Sequence, residues 1–117
     1  MEMKKFIAAH DLWKVRLRTA INLGQCEFSV EQTRVDNLCA FGKFFHALPA
    51  AVQASEQGRK VREKHAAFHR EAARVLELAL GGKKDQANGA LAQESAFTRL
   101  SAELTQLLTD WEKQVAA

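Results

Sequence analysis

Apolar residues recur every three or four positions along most of this chain, which is the spacing of one face of an α-helix. In the first segment this pattern predicts a helix from Lys4 to Leu23, and Gly24 supplies the stop. The apolar stripe of this first helix consists of Phe6, His10, Trp13, Leu17 and Ala20 or Ile21.

The middle of the chain predicts a linker and a short helix. Residues 25–35 have weak periodicity, so we expect a linker there, with one turn beginning at Ser29. Asp36 is a candidate N-cap for a second helix over residues 37–48, which Pro49 ends. This segment is apolar almost all round, so we expect neighbouring helices to enclose it.

Two further stripes complete the pattern. A third helix is predicted over residues 55–80, closed by Gly81 and Gly82, and a fourth over residues 85–115. No segment alternates as a strand does. Three long helices and one short, buried helix carrying a cysteine predict an all-α fold, a four-helix bundle. A length of 117 residues fits a single domain over residues 1–117.

Composition limits the class of protein. The chain is 47% hydrophobic and 26% charged, as soluble globular domains are. With two cysteines and no signal-peptide pattern, we expect a reduced, cytoplasmic protein. No segment approaches the roughly 20 apolar residues of a membrane span. The net charge is +3, but glutamates interleave with the basic residues that begin the third helix, so nucleic-acid binding is not expected.

Three of the four histidines fall on predicted core faces. His10 lies on the stripe of the first helix, and the spacing of His65 and His69 stacks two imidazoles on one face of the third. Cys39 adds a sulfur, and three nitrogens with one sulfur form a tetrahedral set that zinc accepts. From the residues alone, two interpretations stand: core histidines satisfied by hydrogen bonds, or one metal ion that they share.

Three short motifs surround these residues. They are segments 10–14 (His-Asp-Leu-Trp-Lys), 39–44 (Cys-Ala-Phe-Gly-Lys-Phe) and 65–69 (His-Ala-Ala-Phe-His). In order and spacing they resemble the chemoreceptor zinc-binding domain family. Phe44 is a departure, because the family usually has Trp there, but it is a packing position. The resemblance implies one zinc ion held by the following ligands: His10, Cys39, His65 and His69.

The resemblance also implies a function. Members of the family are cytoplasmic sensor modules attached to chemoreceptors or diguanylate cyclases, or stand-alone proteins. Zinc occupancy, or oxidation of the cysteine ligand, alters the attached output. The family forms homodimers, so we expect one here, with the first and fourth helices as candidate contact surfaces. An output or signalling protein is the expected further partner.

Other residues near the motifs are assigned lesser roles. His46 lies about 10 Å along the helix axis from Cys39, too far for one shared ion, and we expect a surface histidine. Cys26 has no partner motif and is expected to be a free thiol. Five residues are expected to pack around the ligands and keep water out: Trp13, Phe41, Gly42, Phe44 and Phe68.

An enzyme is not expected. A catalytic zinc keeps an open coordination position, whereas four protein ligands close the shell. Position 66 is alanine, where the general base of a His-Glu-x-x-His metalloprotease would stand. The alternative to a sensor is a structural zinc site in a helical adaptor that binds a protein partner. A small nucleic-acid-binding bundle is a further alternative, which salt-dependent binding would reveal.

Overall fold

Seven helices account for most of the chain that the structure, a computed structural model, describes, namely residues 3–35 and 39–116. In chain order they are α1 (Lys4–Leu23), α2 (Val30–Arg34), α3 (Ala40–His46), α4 (Ala50–Gln53), α5 (Glu56–Leu80), α6 (Lys84–Ala90) and α7 (Ala96–Ala116). These residues include no strand, so the all-α prediction is confirmed. None of the described helices is both long and apolar enough to cross a membrane.

The three long helices α1, α5 and α7 form the bundle, with α5 packed against the other two. Helix α1 has the predicted bounds, and Gly24 ends it in the left-handed conformation, with φ at 72°. Helix α5 begins after Ser55, whose Oγ accepts a hydrogen bond from the Gly58 amide, 3.1 Å away. The fully buried core lies between these helices and includes Leu17, Val61, Phe68, Leu76, Leu104 and Leu108.

The predicted fourth helix is wrong as one continuous element. It divides into α6 and α7, with turns over residues 91–95 between them. Ser95 starts α7 because its Oγ accepts a hydrogen bond from the Thr98 amide, at 3.2 Å. Leu91 and Phe97 are buried on either side of the break. The apolar periodicity therefore continues across a break that packing and a serine cap create.

The segment predicted as a linker contains a helix of its own. Helix α2 begins after Ser29, where the single turn was expected, and packs against α5. Ser29 and Gln32 form a reciprocal capping box: each side chain accepts a hydrogen bond from the other residue's amide, both at 3.0 Å. This box gives the short helix a defined start.

The short helix that carries the cysteine differs from its prediction. The expected cap Asp36 and the expected first residue Asn37 lie outside the described residues. Helix α3 begins after Cys39, which is its extended N-cap rather than a residue in its middle. One face of α3 is buried, through Phe41, Gly42 and Phe45, while Lys43 and His46 are exposed. The expectation of a helix enclosed all round is therefore wrong, because α3 lies on the outside of the bundle.

Candidate metal centre

Four side chains from three parts of the chain converge beside α3. His10 lies on α1, His65 and His69 lie on α5, and Cys39 precedes α3. One ligand atom from each lies within 4.8 Å of the other three. The His65 Nε2 atom is 3.1 Å from the Nε2 atoms of both other histidines and 3.3 Å from the Cys39 sulfur. The structure thus brings together all four residues that the sequence singled out.

These separations are close to those around a tetrahedral zinc ion. With Zn–N bonds of about 2.0–2.1 Å and a Zn–S bond of about 2.3 Å, neighbouring nitrogens lie about 3.3 Å apart, and nitrogen and sulfur about 3.6 Å apart. The contacts of His65 fall just inside these values. Shifts of a few tenths of an ångström around His65 would give it zinc-like distances. The other ligand atoms, which lie within 4.8 Å of one another, would have to move closer together to bind the same ion.

Two backbone carbonyls orient the imidazole rings. The Nδ1 atom of His10 lies 2.8 Å from the Phe6 oxygen, and that of His69 lies 3.0 Å from the Thr33 oxygen. Because a carbonyl oxygen only accepts, each Nδ1–H must donate, and the neutral ring then carries its lone pair on Nε2. Each Nε2 faces the centre of the cluster. Hydrogen bonds of this kind commonly hold metal-binding histidines.

Burial keeps His10 and His65 in the neutral form that binds metal. All three are at most 5% exposed. Burial is the main cause that lowers the pKa of His10 to about 4; its hydrogen bond to Phe6 opposes this shift and the charge of His69 adds to it. Burial, followed by the charges of His69 and His10, lowers the pKa of His65 to about 2. Neutral imidazoles at pH 7 can each offer a lone pair to an ion.

The cluster holds more acceptors than donors. His10 and His69 each direct a lone pair at His65, whose Nε2 carries one hydrogen at most in the neutral ring. The Cys39 sulfur already accepts a hydrogen bond from the Gly42 amide at 3.2 Å. A cation can accept a lone pair from each of the four clustered ligand atoms at once, so this set of residues fits zinc.

Aromatic rings surround the cluster. The Phe41 ring centroid is 4.9 Å from that of His65, and the Phe68 centroid is 5.3 Å from that of His10. Phe44 packs against Phe6, at 5.1 Å between centroids, and so supports the residue whose carbonyl orients His10. The fourth expected aromatic residue, Trp13, is buried and lines a pocket next to the cluster.

Sequence reasoning missed Phe6 and Thr33, which act through their backbone carbonyls. Only the capping-box spacing of Ser29 and Gln32 could have indicated a helix that brings Thr33 close. His46 is exposed on the last turn of α3 and lies outside the cluster. Cys26 is half-buried, forms no disulfide and lines a separate pocket.

The comparisons with known proteins agree with this geometry. The family model of the chemoreceptor zinc-binding domain matches residues 10–76, which is more than half of the chain. The match begins at His10 and includes all four residues of the cluster. No significant match to this chain is found among curated proteins or among solved structures.

Proposed function

We propose, since this chain belongs to the chemoreceptor zinc-binding domain family, that it is a regulatory domain that senses zinc through His10, Cys39, His65 and His69. Zinc is the metal of this family. The observation that carries the proposal is the convergence of three imidazole nitrogens and one sulfur within 4.8 Å. The 117 residues act as a single domain in this proposal, with α6 and α7 completing the core around the matched segment.

The division of the ligands supports a regulatory role. The three histidines are buried on α1 and α5, which pack against each other in the bundle. The cysteine is half-exposed at the start of a seven-residue helix. Binding of zinc would therefore fix the short outer helix α3 against the packed helices α1 and α5. Loss of the sulfur ligand would remove this link. A change in the position of α3 is the signal that an output protein would detect.

A closed shell argues against catalysis. The family is a regulatory one, and four protein ligands leave a tetrahedral zinc no open position for water or substrate. Oxidation of Cys39 would provide a second input to the same site, because an oxidised sulfur is a poorer zinc ligand. The output is expected to be a chemoreceptor signalling region or a diguanylate cyclase.

A second copy of the chain is the proposed partner of α1. Its outer face exposes Leu12 (50%), Val15 (61%) and Leu23 (64%), opposite the face in the core. Asp11 and Arg18 lie on one flank of this strip, about two turns apart. In an antiparallel pairing, each Asp11 approaches Arg18 of the partner subunit. This self-complementary charge pattern supports a homodimer through α1.

Metal analysis of the full chain tests the ligand assignment. We expect one zinc per chain and an X-ray absorption signal from three nitrogens and one sulfur. The Cys39→Ser variant should lose far more affinity than the roughly tenfold to hundredfold that loss of an outer partner costs. Cys26→Ser and His46→Gln are matched controls and should bind zinc as the wild type does. A site with two sulfurs, or loss of binding in His46→Gln, would refute the assignment.

Competition with a calibrated chelator separates a sensor from the structural alternative. A sensor needs a dissociation constant within the range over which free zinc varies in a cell. A structural site in a helical adaptor would hold zinc so tightly that occupancy never changes. An affinity so tight that occupancy never changes would support the structural adaptor instead of the sensor.

A further inference from the structure

A pocket of about 370 Å³ lies next to the sulfur side of the cluster. Its buried wall includes His10 and His69, and its outer wall includes Arg16, Gln32 and Val35. Cys39 also lines it and is the least buried of the four clustered residues. The volume is that of a site for a small ligand. A molecule in this pocket therefore lies beside Cys39.

Arg16 gives the pocket a fixed positive charge. Its guanidinium lies 5.1 Å from the ring centroid of Trp13 and 5.1 Å from that of Phe28. Contacts of this type hold a cation against aromatic faces. Among the described residues no carboxylate forms an ion pair with Arg16, and no acidic residue lines this pocket. Among the described residues that line this pocket, Arg16 is therefore the one that carries a fixed charge.

The other cysteine provides an internal comparison. Cys26 lines an adjoining pocket, which Arg16 also lines, but Glu27 forms part of that wall. A carboxylate there opposes the approach of an anion. The Gly42 amide also donates a hydrogen bond to the Cys39 sulfur, which a thiolate accepts more strongly than a thiol. Both differences favour Cys39 as the site at which a small anion reacts.

We propose that this pocket admits small anionic disulfides, that Arg16 attracts them, and that Cys39 is the residue they modify. The Cys39 thiolate attacks one sulfur of the disulfide and forms a new S–S bond to it. The original S–S bond breaks, and the other half leaves as a thiolate. Cys39 is oxidised and the leaving half is reduced, so the disulfide is the only oxidant.

The mixed disulfide removes the sulfur ligand from the cluster. This consequence rests on the proposed function, because it concerns zinc. The pocket and its charge are independent of that function. The attached half occupies the pocket beside His10 and His69. Modification at Cys39 thus acts on zinc affinity through the one ligand that solvent reaches most easily.

Two aromatic disulfide reagents of different charge test the proposal on the full chain. Dithiobis(nitrobenzoate) is dianionic and dithiodipyridine is neutral, and both release a coloured thiolate or thione that reports the rate. A Cys26→Ser background leaves Cys39 as the only thiol. At low ionic strength, Arg16→Gln should slow the dianionic reagent about fivefold and leave the neutral one unchanged. Added salt should reduce that difference.

Two further variants separate charge from shape. Arg16→Lys keeps the cation and should retain the preference for the anionic reagent. Lys4→Gln removes an exposed cation from the same helix outside the pocket and should change neither rate. Equal slowing of both reagents by Arg16→Gln, or an equal effect of Lys4→Gln, would overturn the proposal. So would a failure of mass spectrometry to find the modification on Cys39.

The same reagents applied to the zinc-loaded chain connect the pocket to the metal. Zinc detected by a dye should appear in step with the mixed disulfide, and Arg16→Gln should slow both together. Formation of the mixed disulfide without zinc release would overturn the link to zinc affinity. If the chain binds no zinc at all, the proposed function fails, while the rates on the metal-free chain still decide the proposal about the pocket.

Discussion

The Nδ1 atom of His69 lies 3.0 Å from the carbonyl oxygen of Thr33, so a five-residue helix orients a histidine 36 positions further along the chain. Helix α2 thereby helps to position the candidate metal site, although none of its side chains is among the four clustered residues. Thr33 itself is 1% exposed, and its hydroxyl donates to the Ser29 carbonyl at 2.8 Å. The position of this carbonyl therefore depends on the start of α2.

The Ser29 cap should affect zinc affinity from a distance. Ser29→Ala removes the acceptor for the Gln32 amide, costs about 1 kcal/mol and loosens α2. The His69 ring then loses its fixed orientation, and we expect zinc affinity to fall by about tenfold. Ser55→Ala is the matched control, because it removes the cap of α5 with a similar loss of stability. An equal loss of zinc affinity in both variants would contradict this role for α2.

Zinc should stabilise a chain that is already folded. The core between α1, α5 and α7 does not depend on the metal, so the zinc-free chain should keep most of its helical circular dichroism. Zinc at a thousandfold excess over its dissociation constant should add about 4 kcal/mol to the free energy of unfolding. Thermal denaturation with and without a chelator measures this. A random-coil spectrum after chelation would instead make zinc an obligate folding cofactor.

Acid should destabilise the zinc-free chain below about pH 6.5. His10 has a pKa of about 4 in the fold and 6.5 as an unperturbed side chain. Between these values the unfolded chain binds more protons, so the free energy of unfolding falls as the pH falls. The shift of His10 corresponds to about 3 kcal/mol. Denaturation by urea from pH 7 to pH 4 should show this slope, and the slope should be weaker in His10→Gln.

Oxidation of Cys39 should release zinc. In the proposed site, the metal would keep the sulfur as a thiolate, which strong oxidants attack. Hypochlorous acid converts this thiolate to a sulfenic acid and gives chloride and the free ion. Titration with hypochlorous acid, followed by zinc release and mass spectrometry, measures the order of events, with Cys39→Ser as the control. Oxidation of Cys26 first, while zinc stays bound, would leave a sensor of zinc alone.

The outer face of α1 should determine the oligomeric state. Val15→Glu places a charge in the exposed apolar strip, so we expect the dimer to dissociate to monomers in light scattering at micromolar concentration. Leu80→Glu is the matched control, since Leu80 is also an exposed apolar residue, at 40%, but lies at the end of α5. A dimer that survives Val15→Glu, or that Leu80→Glu disrupts as well, would remove α1 as the interface.

Periodicity predicted the long elements because each buries one continuous face. The bounds of α1 and the span of α5 agree with prediction, since Gly24, Ser55 and the Gly81–Gly82 pair act within a few residues of the helix ends. The break between α6 and α7 was not predictable in the same way. Its cause is the packing of Leu91 and Phe97, which preserves the apolar spacing on both sides.

The sequence predicted the side chains of the candidate site but not the backbone groups that orient them. His10, His65 and His69 were identified because histidines on apolar stripes need polar partners in a core. Cys39 was placed within a helix, although its sulfur caps that helix by accepting from Gly42. The carbonyls of Phe6 and Thr33 carry no residue-specific signal, so only the folded arrangement reveals them.

The spacing of His65 and His69 has a consequence for the denatured chain. The two residues stand one turn apart on α5, so a two-nitrogen site exists wherever that segment is helical, whether or not the bundle has formed. We therefore expect excess zinc to bind the denatured ensemble too and to favour helix there. At high zinc concentration the metal should therefore stabilise the fold by less than simple mass action gives. During folding, the same two histidines can bind an ion before α1 and Cys39 pack against α5.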